Sequence, residues 1–171
     1  MSAPDPEGSI SAQDLAAAWA HVEVSRHPDR PYSLDLIERC LEDFIELHGD
    51  RQGGDDAALV IGLGRLAGQR VAVVANQKGR TLEERGRRNF GMAHPEGYRK
   101  AQRLFALAGR LQLPVLSFID TPGAYPGVAA EERGQAWAIA QTLEAQLALP
   151  TPYLATVIGE GGSGGALATL L

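Results

Sequence analysis

The chain has 171 residues, 44% of them apolar, which is enough for one globular domain with a proper core and too few for two. A net charge of −5 argues against a nucleic-acid-binding protein, and the one cysteine, Cys40, cannot close an internal disulfide, which points to a reducing cytoplasm. The first nine residues are acidic and rich in proline and glycine, unlike a signal peptide, and apolar runs such as 71–75 and 115–119 fall far short of the roughly 20 residues of a membrane span.

The charge is uneven along the chain. Residues 1–56 carry 13 acids against 4 bases, whereas residues 78–110 carry nine bases and only Glu83, Glu84 and Glu96 as acids. Two readings of this basic segment stand side by side: a solvated helix face with its preceding loop, or a site for a phosphate- or carboxylate-bearing ligand.

In chain order, residues 1–11 are small, polar and proline-containing and are expected to be disordered, and 12–24 have helix-forming composition without a sharp cap. His27-Pro28-Asp29-Arg30-Pro31 breaks that helix. Ser33 opens a second, with Leu34, Ile37, Leu41, Phe44 and Ile45 at helical spacing, and Gly49 ends it. Residues 57–63 and 70–75 read as a hairpin turning near Gly68. The stretch 77–92 has charge and glycine but no long periodicity, and reads as a functional or partner-contacting loop. Pro95 opens the next helix, with Tyr98, Ala101, Leu104, Phe105, Ala108 and Leu111 as its apolar stripe and Arg99, Lys100, Arg103 and Arg110 on the other face. A strand buried on both faces is expected at 115–119, then the turn Thr121-Pro122-Gly123-Ala124-Tyr125-Pro126-Gly127 and a helix over 128–148. A second buried strand, 153–158, leads into Gly159-Glu160-Gly161-Gly162-Ser163-Gly164-Gly165 and Ala166. Strand, glycine-rich turn, helix thus occurs twice, which is α/β architecture in a single domain over 12–171.

A glycine turn at the end of a buried strand lets backbone approach a ligand, and the following helix start offers N–H groups to negative oxygen. Three chemistries use this device. Dinucleotide binding fits the G-x-G-x-x-G run from Gly159 to Gly164, but that fingerprint belongs to the first strand of its fold and requires an acidic residue about 20 positions on. Serine nucleophile chemistry fits the G-x-S-x-G run around Ser163, yet His21, His27, His48 and His94 all precede the serine, and a small residue that lets the turn close is the plainer role. Oxyanion stabilisation by backbone N–H groups needs no side-chain nucleophile and suits a sequence without cysteine pairs, zinc spacing or a carboxylate cluster for metal.

The segments His27-Pro28-Asp29-Arg30-Pro31-Tyr32, Asn76-Gln77-Lys78-Gly79-Arg80, Arg88-Asn89-Phe90-Gly91-Met92, Pro95-Glu96-Gly97-Tyr98-Arg99-Lys100, the run from Phe118 to Gly127, Glu131-Glu132-Arg133-Gly134-Gln135 and the run from Ile158 to Leu167 together resemble the alpha subunit of the acetyl-CoA carboxylase carboxyltransferase, bacterial or plastid type. The likeness runs from about Trp19 to Ala168. It implies the crotonase-like (ClpP/crotonase) α/β fold, a spiral of ββα units with N-terminal helices. It also implies transfer of a carboxyl group from carboxybiotin, carried on the biotin carboxyl carrier protein, to acetyl-CoA, giving malonyl-CoA for fatty acid biosynthesis. The implied partners are the beta subunit in an alpha2beta2 assembly, which would hold the zinc and most of the coenzyme A site, the carrier protein and biotin carboxylase. No membrane or nucleic acid is implied.

On this resemblance Gly164, Gly165 and Ala166 would offer N–H donors to the ureido oxygen of biotin, and Gly123, Ala124, Tyr125, Pro126, Gly161 and Gly162 would line its approach. No metal is expected on this chain. Glu131 and Glu132 could act as an acid–base pair, though their place in a first helical turn more simply complements its amino terminus. Asn76 stands where the family commonly has histidine and Ala129 where glycine is usual. Family chains continue past Ala168, so a C-terminal truncation and an incomplete spiral are expected. Two alternatives follow: a serine hydrolase using Ser163, and an inactive piece that only binds the beta subunit.

Overall fold

The computed structural model describes residues 11–170, which divide into two units, one up to Arg30 and one from Pro31. The first holds α1 (Ala12–Ser25). This helix does have a sharp cap: Ser11 Oγ accepts the Asp14 amide at 3.1 Å, satisfying one of the unpaired donors of a helix start. Residues 1–10, nearly all of the segment expected to be disordered, lie outside the described residues. Among the described residues, no helix is long and apolar enough to cross a membrane.

The second unit is one sheet of five strands in the order β1-β2-β3-β4-β5: β1 (Glu42–Leu47), β2 (Leu59–Leu66), β3 (Gln69–Asn76), β4 (Val115–Thr121) and β5 (Tyr153–Gly161). The expected hairpin joins β2 to β3 through Ala67 and Gly68, both at positive φ (48° and 78°), the twist that matches antiparallel strands. From β3 onward the strands run parallel. Because side chains alternate across a sheet, Leu59, Ile61 and Val74 face α4 (Pro95–Leu111), meeting Tyr98, Leu104 and Phe105. Val60, Val73 and Leu116 face α2 (Ser33–Cys40), meeting Ile37 and Leu41. Each such side chain contributes roughly 1.5–3 kcal/mol by leaving water. The parallel strand ends and the turns that follow them are thereby held on a packed base.

Several expectations are corrected. The second helix does not reach Gly49: Leu41 takes extended backbone after α2, and 42–47 become the strand β1. The Phe44 ring occupies the space a side chain at Gly62 would fill, so the missing Cβ on β2 draws this segment into the sheet. A bulge with Asp43 at φ 51° sets its register. The loop 77–92 contains α3 (Leu82–Arg87), started by a reciprocal capping box between Thr81 and Glu84, and a 3-10 turn, Asn89–Gly91. The helix expected over 128–148 is two, α5 (Val128–Glu132) and α6 (Gln135–Leu147), broken where Gly134 takes φ 82°. β5 is not buried on both faces: it is the last strand of the sheet, and Leu154 and Val157 are 61% and 52% exposed.

The basic segment answers the acidic one within the fold. Lys100, expected on the polar face of α4, is 1% exposed, and its Nζ donates to Asp55 Oδ1 at 2.6 Å and to the Asp56 carbonyl at 2.7 Å. Arg99 pairs with Asp50 at 2.9 Å and Glu96 at 2.8 Å, Arg80 with Asp35 at 2.5 Å, and Arg103 and Arg88 donate to the carbonyls of His48 and Ala57. For Lys100, the buried member, a solvated face does not describe the role. A buried ammonium requires such partners, since an unpaired one is too costly to keep inside.

Two outcomes are expected in the full-length chain. Lys100→Ala removes a buried stem together with its hydrogen bonds to the Asp55 carboxylate and the Asp56 carbonyl, and should lower stability by about 2–3 kcal/mol, read as a shift in denaturant midpoint at constant slope. The second concerns acid. Burial pushes the Asp50 carboxyl up, but the Gly54 and Gln52 amides and Arg99 outweigh it and hold it below its ordinary 3.8. Ionised Asp50 therefore stabilises the fold above that value and loses its contribution as pH falls through the lowered native pKa, so Asp50→Asn should flatten the acid limb of a stability–pH curve measured downward from pH 4. Asp56 acts with the opposite sign: burial, against the Ala58 and His94 amides, raises its carboxyl, so its contribution is present at low pH and fades as pH rises through the raised value.

Candidate functional site

Both glycine-rich turns leave the same end of the sheet, one from β4 and one from β5, which are neighbours. They touch through backbone. The Gly162 amide donates to the Thr121 carbonyl at 2.8 Å, and Thr121 Oγ1 closes its own turn, donating to the Gly123 carbonyl at 2.7 Å and accepting the Gly123 amide at 3.1 Å. A methyl on Gly162 would overlap the Pro122 carbonyl, and one on Gly165 would overlap Gly123 and lie 2.5 Å from the Ala124 nitrogen. Glycine is required at these two positions because any side chain would push the turns apart.

Past that contact the chain enters α7 (Ser163–Leu167), a helix of five residues. The amide of Ala166 donates to the Gly162 carbonyl at 3.0 Å, so this expected donor is already engaged within the chain. The amides of Gly164 and Gly165 make no hydrogen bond among the described residues. In so short a helix the aligned dipole is small, and individual N–H groups are what the site can offer.

The first turn divides. Gly123 and Ala124 lie against Gly165, but Tyr125 leans away: its amide donates to the Ala93 carbonyl at 3.1 Å and its ring stacks on His94 with centroids 4.0 Å apart. Gln135 Nε2 ties the same two segments, donating to the carbonyls of Ala93 and Tyr125. Pro126 and Gly161 are exposed and Gly162 is half-buried. Beyond His94 opens a cavity of about 590 Å³ lined by Asp50, Glu96, Arg99 and Arg133, whose arginines already bond its carboxylates. Glu131 and Glu132 are both exposed.

Ser163 takes φ 54°, a strained value for a side-chain-bearing residue, but no histidine or carboxylate hydrogen-bonds its Oγ among the described residues. Nor do the described residues place three His, Cys, Asp or Glu side chains to hold a metal ion. An ionic group that sequence reasoning passed over lies under the two turns. Lys78 Nζ sits 3.0 Å from Asp120 Oδ1 and also donates to the Glu160 carboxylate, while the Glu160 amide donates to Asp120 Oδ1 at 3.1 Å. The available signal was that each residue stands one to three positions beyond the end of a predicted strand.

The family model for acetyl-coenzyme A carboxylase carboxyltransferase-like proteins matches residues 11–170. The chain belongs to that family. It is 62% identical over 152 residues to the acetyl-coenzyme A carboxylase carboxyl transferase subunit alpha of Thioalkalivibrio sulfidiphilus, covering 89% of this chain and 48% of the relative. Against the same subunit of Thermus thermophilus it is 58% identical over 150 residues, with 88% and 48% covered. The chain thus spans about half the length of the curated relatives it matches. Among solved structures it superposes on transcarboxylase 12S, determined with methylmalonyl-coenzyme A and methylmalonic acid bound, with a TM-score of 0.68 at 24% identity, over 82% of this chain and 26% of that one. That likeness shows the fold alone, a crotonase-like α/β fold built of ββα units.

For this family member the turn contact separates two neighbouring glycines. A methyl on Gly164 would lie 3.6 Å from the Ile139 side chain, an ordinary contact, so Gly164→Ala should leave the melting temperature nearly unchanged. Gly165→Ala meets backbone that cannot yield cheaply and should destabilise by about 1–3 kcal/mol. Thermal melts of the two variants side by side check the difference.

Proposed function

We propose that this chain forms the carboxybiotin half of a carboxyltransferase site, with Gly164 and Gly165 donating their N–H groups to the ureido oxygen of biotin. The observation that carries the reading is that the Gly164 and Gly165 amides at the start of α7 make no hydrogen bond among the described residues, where glycines at 162 and 165 let the two turns close without side chains. The fit to biotin rests on this donor set: a small planar urea oxygen gaining charge is met by neutral, fixed N–H groups that need no reorganisation. Gly161 and Gly162, with Gly123 and Ala124 opposite, line the approach, while Tyr125 is turned toward His94. Carboxybiotin on the biotin carboxyl carrier protein supplies the carboxyl group, loaded by biotin carboxylase, and acetyl-CoA receives it to give malonyl-CoA. The chain's own residues bind and orient; they supply no nucleophile. A beta subunit, paired with this chain in an alpha2beta2 assembly and carrying the zinc, presents the coenzyme A thioester from the other side. The setting is the cytoplasm, the compartment that suits a chain whose one thiol, Cys40, is free and exposed.

The cleanest test replaces the Gly165 peptide N–H by an ester oxygen in the full-length chain reconstituted with the beta subunit. Losing one such donor should lower kcat for malonyl-CoA formation about a hundredfold, equivalent to about 3 kcal/mol, with KM for acetyl-CoA unchanged. Unchanged turnover sinks the role of these amides. Co-purification separates catalysis from docking: binding to the beta subunit without product assigns the chain to binding alone. A serine-directed fluorophosphonate should leave Ser163 unlabelled, and labelling there would restore the hydrolase reading.

A further inference from the structure

Three parallel strands end side by side beneath the glycine turns, and each contributes one charged residue to a shared group. Lys78 lies just beyond β3, Asp120 is the penultimate residue of β4 and Glu160 the penultimate residue of β5. The side chains are 13%, 0% and 18% exposed, so this is an interior arrangement rather than a surface ion pair. Its place coincides with a break in the ladder: Ile119 pairs with Val157, but Thr121 pairs with Gly161, so β5 carries two extra residues there. Asp120 Oδ1 fills the break by accepting the Glu160 amide at 3.1 Å, while the ammonium of Lys78 holds both carboxylates. The residues that follow are Thr121-Pro122-Gly123 on one side and Gly161-Gly162 on the other.

The stem of Lys78 is fixed as well. Asn89, Phe90 and Gly91 take positive φ in succession (48°, 56° and 82°), and a methyl on Gly91 would lie 2.8 Å from both the Lys78 Cγ and the Asp120 carbonyl. Such a run of left-handed residues persists only where surrounding structure dictates it. Here it presses a 3-10 turn onto the lysine and the β4 backbone together.

We propose that Lys78 is a positioning residue for the two glycine turns: by binding Asp120 and Glu160 at once it fixes the bulge of β5 and hence the place of the Gly164 and Gly165 amides relative to Gly123. This rests on the reading of those amides given above. Without the ammonium, two carboxylates face each other in an interior site and are driven apart, moving the β5 turn while the strand cores stay packed. The lysine touches no substrate. Its effect is on geometry at the reacting end, where displacement on the order of 1 Å can lower a rate about a hundredfold.

The test uses the full-length chain reconstituted with the beta subunit. Lys78→Met should lower kcat about tenfold to a hundredfold, with KM for acetyl-CoA held within about twofold, because misplacement acts on the transition state rather than on thioester binding. Lys78→Met combined with Glu160→Gln removes the repulsion and should recover about tenfold of that loss. A generic packing defect would instead lower the melting temperature, move KM and kcat together and gain nothing from the second change, and that pattern overturns the proposal. If Lys78→Met does not fold, Glu160→Gln alone serves: it keeps the Lys78–Asp120 pair and should lower kcat about threefold or more at constant KM, and a wild-type kcat refutes the proposal. Wild-type kcat in Lys78→Met, together with an impaired Gly165 ester variant, removes the inference and leaves the amide reading standing. A wild-type complex that forms no malonyl-CoA removes both.

Discussion

The meeting of two backbones, Pro122 to Ala124 against Gly162 to Gly165, is the constraint on which the rest of the site is built. Two turns from adjacent parallel strands approach until no Cβ fits between them at positions 162 and 165. That closeness engages the Gly162 amide on the Thr121 carbonyl, and the next turn of chain engages Ala166 on Gly162. Three amides, of Ser163, Gly164 and Gly165, are then left between engaged neighbours among the described residues. The site is thus defined by which backbone groups the fold has not consumed, a property no side-chain inventory reveals.

In the proposed role the chain acts through backbone amides rather than through side-chain chemistry. Rigid amides stabilise developing charge only if they do not relax when it appears, so the demand falls on the support beneath them. The support is layered: apolar packing of α4 and α2 on opposite faces of the sheet, then an ionic group at the strand ends, then the turn contact. Each layer restricts the next more finely, from several ångströms of strand placement to the fractions of an ångström that hydrogen-bond geometry requires.

What was legible in the sequence was local or periodic. The hairpin could be read because Gly68 and its neighbours carry their turn chemistry with them, and α4 because Pro95 and a long apolar stripe define both its start and its buried face. What was not legible depended on residues far away. Phe44 and Ile45 continue a helical spacing from Leu34, and only Gly62, across the sheet, turns that segment into β1. Lys100 falls on the polar side of its helix by spacing, yet Asp55 draws it inside. At the candidate site the sequence could not tell which amides are engaged within the chain: the Ala166 amide reaches the carbonyl four residues back, that of Gly162, and the Gly164 and Gly165 amides do not, which is a fact of three-dimensional geometry. Thr81 and Glu84 are the exception, a local capping signal that sequence reading passed over because the helix it starts is only six residues long.

β5 has a consequence of its own. Among the described residues its outer margin pairs with no strand, so a row of peptide donors and acceptors lies open beside Leu154 and Val157. Such a margin is a template for intermolecular sheet growth wherever nothing shields it. A preparation limited to these residues would therefore be expected to self-associate through that strand as concentration rises, and Leu154→Lys would keep it dispersed.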